Sequence, residues 1–295
     1  MKSEIDKIKD AVRLCFGADA YSLGYQWTYD ITGNLEQFEK TGLKLINPMA
    51  IKYHPARKAG DISFYGDQQL ALLESLDETK AYSEARFLEI WENIWRIGYN
   101  DWIDGATKIR LASKHPSNSS DLSPVSRIAP LFLIKDLTLK EMQDIVEQYI
   151  GVTHNNLEVK DFGKFIVHLI YELQSGGTLM SSINKIKGDY PYCNKYIDKG
   201  LDYVQYSWKE LLEKEIDTSC PIEASGPLAI YLLCKYWDSP SDMFAYNNIF
   251  DGDTCGRVGI LALVTGLIKG FPACGDQWYG QLKKKDLLEK VLAKF

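Results

Sequence analysis

Residues 85–95 read ARFLEIWENIW, and the spacing of their apolar side chains decides the expected fold. These side chains recur at steps of three and four: Phe87, Ile90, Trp91, Ile94 and Trp95. Such spacing puts them on one face of an α-helix, since a helix repeats every 3.6 residues. This segment is therefore predicted to be an amphipathic helix that packs against a core.

The same spacing recurs along the chain and predicts further helices over Leu139–Ile150, Phe162–Leu173, Tyr203–Leu212 and Leu228–Tyr236. Capping residues precede two of them, Thr138 before the first and Asp161 before the second. No convincing run alternates strictly between apolar and polar residues, as a half-buried strand would. The sequence therefore predicts an all-α fold.

Composition indicates one domain over residues 1–295. A chain of this length buries about three quarters of its unfolded surface, and no segment has the composition of a linker. Two stretches are predicted to be long loops, Gly33–Asp61 and Lys114–Pro124, and such loops often carry function.

Charge and hydropathy disfavour several classes of protein. The net charge is −6, and the one dense basic run, Lys283–Lys285, is interpreted as a solvated helix end, so a nucleic-acid partner is not expected. The richest apolar segment, Val258–Ile268, is shorter than the roughly 18 residues of a membrane span, and no signal-peptide pattern is present. Six cysteines without paired spacing indicate free thiols in a reducing compartment. We expect a soluble, cytoplasmic protein without a membrane partner.

Four polar clusters are predicted to lie at helix starts: Phe16–Gly24, Gly60–Gln69, Ser119–Pro130 and Asp251–Arg257. A helix N-terminus favours anions such as phosphates, because its first N–H groups have no partner within the helix. Aspartate oxygens at such positions also suit Mg²⁺. The alternative is that each aspartate merely caps its helix. Glycines of the helix expected between Asp253 and Lys269, among them Gly259 and Gly266, are predicted to allow close approach of a neighbouring helix.

The polar clusters resemble, in order, the motifs of the ADP-ribosylglycohydrolase superfamily. That all-α family cleaves glycosidic bonds to ADP-ribose with two Mg²⁺ ions. The matching segments are Ala18–Ser22, Tyr65–Leu72, Ser126–Pro130, Thr153–His154 and Asp251–Gly256, followed by Pro272 and Trp278. The resemblance covers nearly the whole chain and implies a compact orthogonal multi-helix bundle of that family's type.

Departures from the family pattern fall on its acidic positions. Gly66 and Cys255 stand where the family carries metal-binding aspartates, so only Asp67 and Asp253 remain of four carboxylates. Gln26 falls where active members carry an acid, and an amide cannot act as a general base.

The resemblance implies a set of site residues and partners. Asp61 or Asp19 is the expected general base, with Asp30 a further replacement carboxylate. Asp67, Asp253 and Thr254 would hold one or two Mg²⁺ ions. The expected substrate-binding residues are Gln26, Trp27, Asp121, Ser123, Ser126 and His154. The partner would be a small molecule or an ADP-ribosylated substrate.

Several alternatives stay open at the level of sequence. The chain could bind ADP-ribose or a nucleotide without cleaving it, or serve a structural, crystallin-like role. A nucleophilic Cys255 paired with His154 or His54 is a further alternative, since a helix N-terminus stabilises a thiolate. The sequence leaves the acceptor linked to ADP-ribose and the oligomeric state undetermined.

Overall fold

Helices supply the regular structure of the protein in the computed structural model, which describes residues 2–77, 80–96 and 98–295. The α-helices within these ranges are α1 (Glu4–Leu23), α2 (Ile31–Thr41), α3 (Phe64–Asp77), α4 (Glu84–Arg96), α5 (Gly105–Ser113), α6 (Leu139–Thr153), α7 (Leu157–Gln174), α8 (Leu179–Ile186), α9 (Asn194–Tyr203), α10 (Trp208–Leu212), α11 (Ile222–Lys235), α12 (Pro240–Ile249), α13 (Thr254–Lys269), α14 (Ala273–Gly280) and α15 (Lys285–Leu292). Strand pairing in the described ranges is limited to isolated bridges at Ser117–His154 and Asp121–Pro221. The predicted all-α fold is confirmed.

Two predicted helix starts are found where the capping signals placed them. Thr138 and Glu141 form a capping box at the start of α6, in which each side chain accepts a hydrogen bond from the other residue's backbone N–H. Asp253 caps α13 by accepting a hydrogen bond from the N–H of Gly256. The amphipathic segment 85–95 forms α4, with Phe87 and Trp91 buried.

The predicted cap at Asp161 is wrong. Helix α7 begins at Leu157, because the side chain of Asn156 accepts hydrogen bonds from the N–H groups of Glu158 and Val159. Asp161 lies inside the helix, and its carboxylate instead accepts a hydrogen bond from the N–H of Tyr192 at 3.0 Å.

Three other predicted boundaries are corrected. Tyr203–Leu212 is not one helix, since α9 ends at Tyr203 and α10 begins at Trp208, where Ser207 starts a new capping box. The predicted loop Gly33–Asp61 begins with most of α2, because Asp30 caps that helix. The cluster Phe16–Gly24 lies at the C-terminal end of α1 and not at a helix start.

Helix α13 lies at the centre of the molecule. Every residue from Thr254 to Leu267 is buried, and most of them are apolar. The charged exception, Arg257, donates hydrogen bonds to backbone carbonyls of Thr218 and Asn247. The helix packs along α1, and a Cβ at Gly266 would lie only 2.7 Å from Ala11 Cα. A Cβ at Gly259 would overlap the carbonyl oxygen of Ser126, in the 3₁₀ turn that lies against α13. The prediction that these two glycines allow close packing is confirmed.

The first and last helices are joined by an ion pair. Arg13 in α1 donates from Nε and Nη2 to the two carboxylate oxygens of Glu289 in α15, at 2.8 and 2.7 Å. The Tyr279 hydroxyl donates to the same carboxylate at 2.7 Å. Within the described residues, no helix is both long enough and apolar enough to cross a membrane.

Candidate functional site

A buried glutamine joins the end of α1 to the first turn of α13. Gln26 follows α1, and its Oε1 accepts a hydrogen bond from the N–H of Cys255 at 2.6 Å and lies 3.0 Å from Thr254 Oγ1. Its Nε2 donates to Asp253 Oδ1 at 2.8 Å. Both ends of the amide are therefore engaged inside the protein, so Gln26 fixes the geometry of this junction.

Asp253 combines a capping role with one free oxygen. It is fully buried, and its Oδ1 accepts hydrogen bonds from Gln26 and from the N–H of Gly256. Its Oδ2 has no well-formed hydrogen bond among the described residues, although the nearby Tyr65 hydroxyl favours the charged form. Burial raises the pKa of Asp253, because a carboxylate removed from water loses hydration that stabilises its charge.

Five aromatic rings beside this junction surround a cavity of about 270 Å³, called here the aromatic pocket. Its lining residues are Trp27, Tyr29, Tyr53, Tyr65, Trp102, Asp104, Gly105, Asp121 and Cys220. The Trp27 ring meets those of Tyr53 and Trp102 edge to face, at centroid distances of 5.5 and 6.0 Å. Trp27 is 6% exposed, whereas Tyr29 and Trp102 are 58% and 38% exposed. The pocket therefore runs from an exposed mouth to a buried floor.

Unusual backbone conformations hold two of these rings in place. Trp27 and Tyr29 have φ values of 59° and 52°, in the left-handed region of backbone conformation that residues other than glycine rarely adopt. The N–H of Trp27 donates to the carbonyl of Gly252 at 2.9 Å, and the N–H of Tyr29 donates to Asp251 Oδ1 at 2.9 Å. Strained residues held by several contacts cluster at functional sites, which makes this segment a candidate ligand-binding loop.

Two carboxyl groups line the aromatic pocket, and no basic side chain is among its described lining residues. Asp104 caps α5 by accepting a hydrogen bond from the N–H of Thr107 at 2.6 Å. Burial, and secondarily the negative charge of Asp253, raise the pKa of Asp121 to about 6. A carboxyl group with this pKa can give up a proton near neutral pH.

Asp67 lies in a separate charged cluster. Its Oδ2 accepts from Arg57 Nη2 at 2.6 Å and from the Tyr99 hydroxyl at 3.2 Å, and its Oδ1 accepts from Lys284 Nζ at 2.8 Å. Arg57 also donates from Nε to Asp101 Oδ2 at 2.5 Å. Two carboxylates and two cations thus neutralise one another, and both oxygens of Asp67 are engaged.

The two predicted general bases lie outside the lining of the aromatic pocket. Asp19 is buried near the end of α1, and its two oxygens accept from the N–H and the hydroxyl of Ser63 at 2.6 and 2.5 Å. Burial raises the pKa of Asp19 to about 6, although these hydrogen bonds oppose the rise. Asp61 accepts from the N–H of Lys58 and pairs with Lys283 Nζ at 2.8 Å in a partly exposed turn.

The predicted substrate-binding residues separate into two groups. Trp27 and Asp121 line the aromatic pocket. Ser123 and Ser126 are buried, and the Ser126 hydroxyl donates to the carbonyl of Ser123 at 2.7 Å. His154 is also buried, and burial lowers its pKa to about 3. The second group, like Gln26, therefore lies in the protein interior and is not among the residues that line the pocket.

Comparisons with known proteins place the chain in a family. The family model described as ADP-ribosylglycohydrolase matches residues 2–295. The chain belongs to the ADP-ribosylglycohydrolase family. A solved structure described as "ADP-ribosylglycohydrolase-related protein complex" superposes with a TM-score of 0.71 over 100% of this chain and 98% of that chain, at 13% sequence identity. At that identity the likeness shows the fold alone. A comparison with curated proteins finds no match.

Membership of the ADP-ribosylglycohydrolase family confirms the predicted relationship and indicates a glycosidic hydrolase as the general class. One departure from the family pattern now has a spatial explanation. A Cβ at Gly66 would lie 2.5 Å from Asp19 Oδ2 and 2.7 Å from Ile62 Cβ. The carboxyl group of Asp19 therefore fills the space beside the glycine, although Ser63 holds both of its oxygens.

The family's magnesium ions would require free carboxylate oxygens. Mg²⁺ prefers six oxygen ligands, and the described residues contain no group of three or more acidic, histidine or cysteine side chains that could hold a metal ion. Asp67 is already neutralised by Arg57 and Lys284, and the Thr254 hydroxyl donates to a backbone carbonyl of α1 at 2.9 Å. Asp253 then contributes one oxygen, Oδ2, that is not engaged by a hydrogen bond, and a single carboxylate oxygen does not fit the needs of a magnesium ion.

The thiol alternative is not supported by the position of Cys255. Its Sγ is buried and lies 3.6 Å from the carbonyl oxygen of Asp19, which accepts its hydrogen bond. Burial raises the pKa of this thiol well above its usual value, and the charges of Asp19 and Asp253 raise it further. Burial and these two carboxylates both disfavour the thiolate form that a nucleophilic cysteine requires.

Sequence reasoning did not single out several residues of the site, which are Arg57, Tyr99, Asp101 and Lys284 around Asp67 and Tyr53, Trp102 and Asp104 at the aromatic pocket. The solvated-end interpretation of the basic run is wrong for Lys284, since it pairs with Asp67 across 217 positions. One local signal was available, because residues 99–104 read YNDWID and concentrate aromatic and acidic side chains.

Proposed function

We propose that the protein hydrolyses a glycosidic bond of ADP-ribose or a related ribosyl compound, with the reacting bond inside the aromatic pocket. The observation that carries this proposal is the position of the Asp121 carboxyl group in the wall of that pocket, where burial raises its pKa, in a chain of a glycohydrolase family. The cavity of about 270 Å³ is smaller than the roughly 300–1,000 Å³ of pockets that enclose drug-sized ligands. It would therefore enclose a sugar ring with part of its leaving group, and a diphosphate would lie outside.

Asp121 would act as the acid of the reaction. Its proton passes to the leaving-group atom as the bond to C1′ breaks, and the bonding electron pair leaves with that group. Water then adds to C1′, and the proton it loses returns to the Asp121 carboxylate. Carboxylates near the pocket favour the positive charge that develops on the ribose ring, because the floor around Trp27 and Tyr65 is shielded from water.

The test is hydrolysis of a panel of N- and O-linked ribosyl compounds, with free ADP-ribose or ribose measured by liquid chromatography, in EDTA and in Mg²⁺. We expect turnover in EDTA that falls at least about 100-fold in Asp121→Asn, the usual scale of general acid catalysis. Asp202→Asn, at an exposed carboxylate elsewhere, is the matched control. Turnover that survives Asp121→Asn would show that another group provides the proton.

A second candidate is binding of the same compounds without hydrolysis. The engagement of Asp67 by Arg57 and Lys284 favours it, because the charge that family members use for metal binding is neutralised here. Calorimetric titration with ADP-ribose, with and without Mg²⁺, separates the candidates when combined with product analysis. Tight binding with no product from any substrate would favour the binding protein.

A further inference from the structure

The rings of the aromatic pocket already attract cations at its edge. Lys108 Nζ lies 4.8 Å from the centroid of the Trp102 ring, and Lys52 Nζ lies 5.4 Å from that of Tyr53. A cation within about 6 Å of an aromatic face is attracted by the negative potential of the π system. Both lysines are exposed, and neither lines the pocket.

The pocket also carries negative charge on its lining. Asp104 and Asp121 line it, and neither forms an ion pair with a described residue. Asp253 lies nearby in the interior, where the buried Arg257 partly balances its charge. The negative charges also act on Tyr65. The pKa of its hydroxyl is raised well above the usual value, first by burial and then by nearby charges, which include all three carboxylates. A ligand that brought positive charge would relieve this repulsion.

One weakly bonded donor points to a further feature of the ligand. Trp27 lines the pocket and is 6% exposed, and its Nε1 has no oxygen or nitrogen acceptor among the described residues. Only the Cys220 thiol, a weak acceptor, lies beside it. A buried indole N–H usually finds a partner, because leaving a polar group without a hydrogen bond costs about 1–3 kcal/mol. An oxygen atom of a bound molecule would satisfy it.

We propose that the aromatic pocket binds a small organic cation, an N-alkylated ammonium group that also carries an oxygen acceptor. The ammonium group lies among the rings, Asp104 and Asp121 balance its charge, and the oxygen accepts the hydrogen bond of Trp27 Nε1. This inference rests on the proposed function in one respect, since it uses the same pocket. It then names the substrate class as ribosyl compounds whose leaving group carries an alkylammonium.

The experiment compares choline with 3,3-dimethylbutan-1-ol, its neutral counterpart of equal shape, by isothermal titration calorimetry at pH 8. Choline should bind at least about tenfold more tightly, because only its charge interacts with the rings and carboxylates. Tetramethylammonium, which lacks the oxygen, should bind more weakly than choline. Equal affinities for choline and the neutral alcohol, or no choline binding, would overturn the inference.

Matched variants assign the effect to the pocket. Trp102→Leu removes a half-exposed ring and should weaken choline binding at least about fivefold. Trp208→Leu, which removes a ring stacked on Tyr246 elsewhere, should not. Asp104→Asn keeps a competent helix cap while removing a charge, and should also weaken choline and leave the alcohol unchanged. Choline affinity that is unaffected by both pocket variants would refute the assignment.

The two proposals fail in different ways. Selective choline binding with no hydrolysis of any ribosyl compound would leave the cation site standing and remove the proposed activity. Hydrolysis dependent on Asp121 without any preference for charged leaving groups would do the reverse.

Discussion

Replacing Arg57 by glutamine should be the most damaging single change in the charged cluster around Asp67. The Arg57 and Asp101 side chains are 12% and 2% exposed, and Asp101 Oδ1 already has no hydrogen-bond partner. Without the guanidinium, Asp101 loses its ion pair, whereas Asp67 keeps Lys284. Breaking a buried pair costs about 3–5 kcal/mol, because the remaining charge stays out of water. At about 2 °C per kcal/mol for a chain of this size, Tm should fall by roughly 6–10 °C.

Urea unfolding followed by circular dichroism measures this loss. The double variant Arg57→Gln/Asp101→Asn removes the unpaired charge as well and should recover part of the lost stability. The matched control is Arg96→Gln, because Arg96 is 65% exposed and pairs with Glu92 one helical turn away. That change should cost no more than about 0.5 kcal/mol. A loss below about 1 kcal/mol for Arg57→Gln, or no recovery in the double variant, would refute the reasoning.

Three further predictions follow from other contacts. Gly259→Ala should lower the free energy of unfolding, measured in urea, by about 2–4 kcal/mol, because the added Cβ would overlap the Ser126 carbonyl. The control is Gly280→Ala, whose Cβ would meet no atom within 4 Å and should change stability little. Equal losses in the two variants would contradict this packing. Burial lowers the pKa of His154 to about 3, so the unfolded protein takes up a proton at this residue first and stability falls as the pH drops below about 6.5. Burial raises the pKa of Asp19 to about 6, so the folded protein takes up a proton at this residue first and stability rises as the pH drops from about 6 to about 4. When the pH is lowered from 7 to 4, the urea midpoint should therefore fall less in His154→Gln, and more in Asp19→Asn, than in the unmodified protein. Parallel pH profiles for the three proteins would refute both predicted directions. Mg²⁺ at 10 mM should shift Tm by less than about 1 °C relative to EDTA, because stabilisation requires binding to the folded state; a rise of several degrees would show that the ion displaces the salt bridges.

The fold was predictable where the evidence is local. The apolar stripe of α4 and the capping box at Thr138 involve residues within one or two helical turns, so sequence spacing describes them fully. The cap predicted at Asp161 is wrong because an aspartate can either cap a helix or accept a hydrogen bond from a distant segment. Here its carboxylate accepts a hydrogen bond from the N–H of Tyr192. Asn156, five residues earlier, starts the helix instead.

The candidate site was predictable only in outline. Motif resemblance drew attention to Asp253, Gln26 and Asp67, but the contacts that decide their roles join distant segments. Gln26 bonds Asp253 across 227 positions, and Lys284 reaches Asp67 across 217. The spacing of residues in the sequence does not show whether a carboxylate will contact a metal ion, an amide or a lysine in the folded protein. The aromatic pocket shows the same limit, because its rings come from separate loops and helices that only the tertiary fold brings together.

The ion pair between Arg13 and Glu289 has a mechanical consequence. It fastens α15 to α1, and Lys284, which holds Asp67, immediately precedes α15. Detachment of α15 from α1 would therefore separate Glu289 from Arg13 and would also draw Lys284 away from Asp67. The charge balance around Asp67 thus depends on whether this C-terminal helix stays docked.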